Sequence, residues 1–294
     1  MPLMIVVLVL RATVVTMARI DQATSSDGTR IAYRVHGPGT EAAAPPILLV
    51  HGWAQSGACW GPEALGKLAE HHRVIAMDLR GHGCSDEPGT GYSEPQAWAD
   101  DVEAVLAREE ATGAILVGWS YGGLVLCDYL AERGTRRVAG VVLVAAITSL
   151  GRGRPGAATG PAMKRVIPGA LSEDPGVAAQ AFLDFGPALI PPGCDARGAV
   201  EQALVGASLC TPPSVRGALF RRDVDHDATL RGLGVPVLFL HGTADEVVDI
   251  GAARHGCDLV PRASHSWWEG AGHAPFLEAP DRFVEEIEAF AGSC

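Results

Sequence analysis

The chain predicts an α/β protein: a mainly parallel sheet flanked by helices, interrupted once by a mostly helical segment. Three observations carry this expectation. Short continuous apolar runs, as expected of strands covered on both faces, alternate with helical patterns. That rhythm breaks from Thr148 to about Asp227 and then resumes. Finally, Gly118-Trp119-Ser120-Tyr121-Gly122-Gly123 lies between an apolar run and a helical pattern, the setting in which a tight turn presents a serine at the end of a sheet.

The elements follow in order. Ile20 to Thr24 and Thr29 to Val35 flank Ser26-Asp27-Gly28, a turn signal that predicts a β-hairpin. After a Gly/Ala/Pro-rich loop, Pro46 to Val50 is a buried strand, Pro62 to Glu70 a helix, and Val74 to Met77 the next strand. Trp98 to Arg108 carries Val102, Val105 and Leu106 at helical spacing, ahead of the strand Ala114 to Val117. Val138 to Ile147 is a further buried run. The Gly-, Pro- and Ala-rich stretch 148–227 contains the short helical patterns Val177 to Phe185 and Val200 to Leu209. A structureless loop of that length is improbable inside a domain, so it is read as a helical cap inserted between core segments 19–147 and 228–294. Val235 to Leu240 resumes the strands, Ser264 to Trp268 adds one, and Pro280 to Phe290 is a closing amphipathic helix.

Composition narrows the partners. The 294 residues are 48% hydrophobic and 19% charged, with a formal net charge of −11 and no basic block. That balance argues against nucleic acid and anionic membranes as partners and says little about a small-molecule substrate. Nothing in it specifies an oligomeric state. Seven scattered cysteines without a Cys-x-x-Cys pair imply neither a metal site nor a disulfide framework. Leu3 to Leu10 is apolar but too short to span a bilayer, and it lacks the flanks of a signal peptide. Residues 1–18 are therefore read as an N-terminal extension, and the protein is expected in the cytoplasm.

A serine hydroxyl needs a base to take its proton and an acid to orient that base. In a sheet of this kind the chain order is Ser, then Asp or Glu, then His. Asp245 follows the late strand in His241-Gly242-Thr243-Ala244-Asp245, with Glu246 and Asp249 as neighbours able to substitute. Among ten histidines, His273 stands in Gly270-Ala271-Gly272-His273-Ala274-Pro275-Phe276, between a strand and the last helix. His265 falls within that strand and His255 on a helix. Two backbone N–H groups should hold the oxyanion formed on attack: Tyr121, directly after the serine, and Trp53, after the early strand. Gly52 permits the turn there, and His51 is expected to brace the loop.

These segments, together with Asp78-Leu79-Arg80-Gly81-His82-Gly83-Cys84-Ser85-Asp86, resemble the α/β-hydrolase superfamily in the right order across most of residues 19–294. Within it they are most similar to the branch of bacterial cofactor-free haloperoxidases, small esterases and enol-lactonases. The resemblance implies an eight-stranded α/β-hydrolase fold, a structural role for the Arg80–Asp86 loop, and no requirement for a metal or organic cofactor. Many relatives of the haloperoxidase kind have methionine after the serine. Here Tyr121 leaves the backbone donor in place while its ring and hydroxyl are expected to alter the pocket wall. Trp53 and Tyr121 suggest an aromatic wall; Trp267 and Trp268 read better as strand packing.

The expected function is a serine hydrolase acting on a carboxylic ester, lactone or related acyl compound, with Ser120 as nucleophile, His273 as base and Asp245 as acid. Peroxide-dependent halogenation or perhydrolysis is a side activity the resemblance allows. Epoxide and haloalkane hydrolysis in this superfamily uses an aspartate nucleophile, which Ser120 argues against. A lyase or small-molecule receptor on the same scaffold remains the alternative class.

Overall fold

The computed structural model describes residues 20–39, 44–190 and 197–294; the expected extension at 1–18 lies outside them. Ile20–Thr24 (β1) and Arg30–His36 (β2) form the antiparallel hairpin. Its turn is closed by Ser25 N–H donating to Thr29 O, and Thr29 N–H to the Asp27 carboxylate. The apolar runs become Ile47–Val50 (β3), Val74–Met77 (β4) and Ala114–Trp119 (β5), buried at every position. Pro62–Leu68 (α1) and Pro95–Arg108 (α2) connect them, each with proline in its first turn, where no intrahelical N–H bond is lost. Tyr121–Arg133 (α3) follows β5 directly, and Val138–Val144 (β6) comes next.

The expected strand to Ile147 ends early. Ala145 adopts a left-handed conformation (φ 45°), which turns the chain off the sheet. Ile147 N–H then donates to Ser120 O, so Ala145 to Ile147 pack under the serine turn instead of extending β6.

Ser149–Leu150 (β7) and Val224–Asp225 (β8) pair antiparallel and bring the two ends of the intervening segment together. Between them run Pro161–Ala170 (α4), Pro175–Leu189 (α5), Arg197–Cys210 (α6) and Pro213–Phe220 (α7). Asp227–Arg231 (α8) leads to Val237–Gly242 (β9), which starts two residues later than the sequence suggests; the preceding Pro236 has no N–H for a ladder. Ile250–Leu259 (α9), Ala263–Trp268 (β10), Pro275–Glu278 (α10) and Pro280–Ala291 (α11) complete the chain.

The eight-stranded sheet has the order β1-β2-β4-β3-β5-β6-β9-β10, parallel from β4 onward. The chain passes from β3 outward to β4, then crosses back to β5 on the other side of β3. Connections leaving the carboxyl ends of β3 and β5 therefore diverge, and a crevice opens between them, the usual ligand position in open α/β sheets. Val50 pairs with Gly118 at the end of these strands. Ser120 and the loop from His51 thus face that crevice.

Candidate active site

Ser120 has φ 55° and ψ −119°, a conformation an L-residue holds only when its surroundings enforce it. The enforcement is close packing. A Cβ on Gly118 would lie 2.8 Å from Gly122 O, and one on Gly122 would lie 2.2 Å from Val50 O. Glycine at both positions lets the turn fold back on itself and α3 abut the end of β3. Among the described residues, the Tyr121 and Trp53 amides have no acceptor. The first is unpaired because it opens a helix.

The loop carrying Trp53 is braced from beneath. His51 Nδ1–H donates to Gly52 O (2.7 Å), and its Nε2 accepts from Leu79 N–H (3.0 Å). His82 repeats the arrangement, with Nδ1–H to Arg80 O (2.9 Å) and Nε2 accepting from Ala54 N–H (3.3 Å). Asp78 accepts from Gly57 N–H and Cys84 N–H, while Arg80 is paired with buried Asp101 at 2.7 Å. The 78–86 segment thus holds the serine-facing loop in place.

Burial drives the His51 pKa down to about 4, and burial together with neighbouring His51 drives that of His82 down to about 3. Both rings are neutral in the folded chain, whereas in the unfolded chain they take up protons near pH 6.5. Their contribution to stability is complete above that pH. It falls by about 1.4 kcal/mol per unit and per ring as the pH drops to about 4. Urea midpoints should accordingly decline steeply between pH 6.5 and 4.5, and less steeply in His82→Gln; a flat profile would contradict neutral buried rings.

Asp245 follows β9 with its side chain fully buried; three donors bind its carboxylate, and His241, whose Nε2 bonds Val248 O, lies beside it. Oδ1 accepts from Val247 N–H (2.8 Å) and Val248 N–H (3.1 Å). Oδ2 lies 2.8 Å from His273 Nδ1 and 3.2 Å from His241 Nε2. Burial alone would raise its pKa; His273 and His241 outweigh that and hold the carboxyl below the usual carboxylate range. His273 is fixed in turn by Trp119, whose indole packs at 5.2 Å and donates to His273 O (2.8 Å). With Nδ1 committed to Asp245, Nε2 is the ring nitrogen left for Ser120. Ser120 and His273 line one narrow cavity of about 20 Å³ with Gly52, Trp53, Gln55 and Met163.

The competing residues lie elsewhere. Asp249 caps α9 through Gly251 N–H, and Glu246 pairs with Arg165. His255 binds Asp227, and His265 stacks on Trp267. Trp268 is buried, with its indole N–H on Ser266 and Glu286.

Tyr121 requires a correction. Its side chain is buried away from the cavity, with the hydroxyl accepting from Arg222 (3.1 Å) and facing Leu219 O (3.2 Å). The ring therefore supports α3 rather than forming pocket wall. Its edge packs on Trp98, and the helical start at Tyr121 directs the side chain toward α7. Trp53, by contrast, lines the cavity, packs on Phe182 and Phe220, and donates to Arg216 O (3.1 Å).

Sequence reasoning passed over His241, although it stands four residues before the acid in a tight turn. It also passed over Met163, Phe185 and Leu189, which reach the cavity from α4 and α5. No local signal marks these three.

A mainly parallel sheet with a strained serine at its switch point, lining one cavity with an acid-bound histidine, defines the α/β-hydrolase class of enzyme. The chain belongs to the alpha/beta hydrolase family, whose model matches residues 47–286. The crystal structure of esterase RhEst1 from Rhodococcus sp. ECU1013 is 55% identical with a TM-score of 0.90, covering 93% of this chain and 98% of that one. A putative aryl esterase from Burkholderia cenocepacia is 29% identical with a TM-score of 0.84, covering 94% and 100%. The non-heme chloroperoxidase of Streptomyces lividans is 30% identical over 92% of this chain and 99% of its own length. The chain is thus an α/β-hydrolase enzyme of the haloperoxidase and esterase branch. Among the described residues no helix is long and apolar enough to cross a membrane.

Proposed function

We propose that the protein hydrolyses a carboxylic ester or lactone through an acyl-enzyme on Ser120. The carrying observation is the 2.8 Å contact between Asp245 and His273 beside a serine held in strained backbone within the same cavity. Ser120 Oγ attacks the carbonyl carbon as His273 Nε2 takes its proton, and the Trp53 and Tyr121 amides hold the oxyanion. His273 returns that proton to the leaving alkoxide. Water, deprotonated by the same nitrogen, then attacks the acyl carbon; Ser120 Oγ leaves and takes the proton back from His273, releasing the acid and restoring the enzyme. Asp245 stays ionised throughout and stabilises the imidazolium. The segment 148–227 acts as the cap over this site, supported by Met163, Phe185 and Leu189 reaching the cavity from it.

Esterase RhEst1 and the putative aryl esterase support ester hydrolysis by their names. The chloroperoxidase relative favours a second use of the same acyl-enzyme, in which hydrogen peroxide replaces water and a peracid leaves. The test is fluorophosphonate labelling of Ser120, located by mass spectrometry, alongside turnover of short acyl esters and lactones. Labelling and cleavage are expected; absence of both would return the lyase or receptor alternative.

Asp245→Asn should lower kcat by about 10⁴-fold with little change in KM. An amide hydrogen facing His273 Nδ1 puts the ring proton on Nε2, where it can no longer accept from Ser120. Asp249→Asn retains a good helix cap and should leave kcat near the parent value. The reverse pattern would relocate the acid.

A further inference from the structure

A cavity of about 420 Å³ adjoins the serine site across one residue, Gln55, which lines both spaces. At about 20 Å³ the space at Ser120 and His273 has room for about one water, so the hydrocarbon part of an ester must be housed elsewhere. The larger cavity is walled by Trp60 and Ala64 on the core side, by Phe276 just after His273, and by Ala199, Ala203 and Ala207 of α6. The three alanines recur every fourth residue on one helical face, and their small side chains keep the space open.

Gln55 forms the partition. It is buried, and its Nε2 hydrogens go to Leu204 O (3.1 Å) and Ser208 Oγ (2.9 Å) on α6. Its Oε1 is buried and has no donor among the described residues, a costly state for an amide oxygen beside a reaction site. The loop thus runs from Gly52 and Trp53 at the serine, through Gln55, to Ser56 in the wall of the larger cavity.

From this adjacency, and resting on the ester-hydrolase proposal above, we infer that the cavity between α6 and the core is the subsite for an apolar acyl or alcohol group, with Gln55 as its threshold. An apolar cavity of about 150 Å³ accommodates benzene. The 420 Å³ space therefore suits a ring-bearing or medium-length hydrocarbon group.

The test compares kcat/KM of the full-length protein for 4-nitrophenyl octanoate against acetate, and for octyl against ethyl acetate. Ala203→Trp, which fills the cavity, should lower the long-to-short ratio about tenfold or more in one series. A fall in the first series assigns the cavity to the acyl group, and a fall in the second to the alcohol. Ala207→Leu, a smaller filling on the same face, should move the ratio the same way and serves if the tryptophan variant does not fold. Gln55→Ala removes the partition and should raise that ratio. Long-to-short ratios unchanged by all three variants would overturn the subsite. Binding of octanoate and 1-octanol to Ser120→Ala, with and without Ala203→Trp, separates this outcome from failure of the proposed reaction. Binding weakened about tenfold by the tryptophan upholds the cavity even if no ester is turned over; no binding of either compound rejects it.

Discussion

Ser120→Ala is expected to abolish fluorophosphonate labelling and to lower kcat by at least about 10⁴-fold, the scale on which removal of an activated serine acts in other hydrolases. The alanine retains the backbone strain, because its Cβ meets the same φ of 55°. Ser120→Gly should lose activity equally yet gain about 1 kcal/mol of stability, since glycine enters that region without penalty. The pair separates chemistry from conformation. Turnover by Ser120→Ala near the parent rate would move the nucleophile elsewhere; Ser120→Gly less stable than Ser120→Ala would mean that the turn is not strained. If both results hold, the strain at Ser120 is the stability cost expected of an active-site residue.

Arg222→Met is expected to destabilise the fold by about 3–5 kcal/mol. Arg222 grips Asp128 of α3 with two bonds of 2.8 and 2.7 Å, and both side chains are wholly buried. It also donates to Tyr121, and His226 Nε2 lies 2.9 Å from the same carboxylate. Methionine fills much of the volume but leaves Asp128 charged and buried with His226 as its main remaining partner. The cost is that of an uncompensated charge rather than of a lost attraction. Arg222→Met/Asp128→Leu should recover part of the loss, because removing both charges also removes the desolvation penalty. Guanidinium unfolding midpoints of the three proteins measure this. A single-variant loss below about 1 kcal/mol, the level of an exposed pair, would show that the site is solvated. Since the network joins the helix that begins at Tyr121 to the end of α7, the same variants should slow fluorophosphonate labelling of Ser120.

Much of the fold was legible because burial on both faces leaves a local trace. The runs Ile47–Val50, Val74–Met77 and Ala114–Val117 contain no polar side chain, and all are central strands. Where local pattern and backbone compete, the pattern misled. Ala145 to Ile147 are as apolar as the strand before them, but the Ser120 turn needs a floor, and they supply it. Adjacency to the serine suggests a pocket-wall position for the Tyr121 ring, but successive residues at a helix start point in different directions, and its partner Arg222 is 101 residues away.

By itself the sequence determined the α/β class, the family, and the order in which Ser120, Asp245 and His273 occur, since these are written in periodicity and in motifs a few residues long. Only the tertiary structure decided which groups surround them: His241 on the acid, Trp119 under His273, Arg222 on Asp128, and Gln55 between the serine and a cavity bounded by α6. Gln55 and Ser208 are 153 residues apart. The physical reason is that a residue's periodicity encodes which face it buries, while its partner depends on how strand crossovers bring distant segments together.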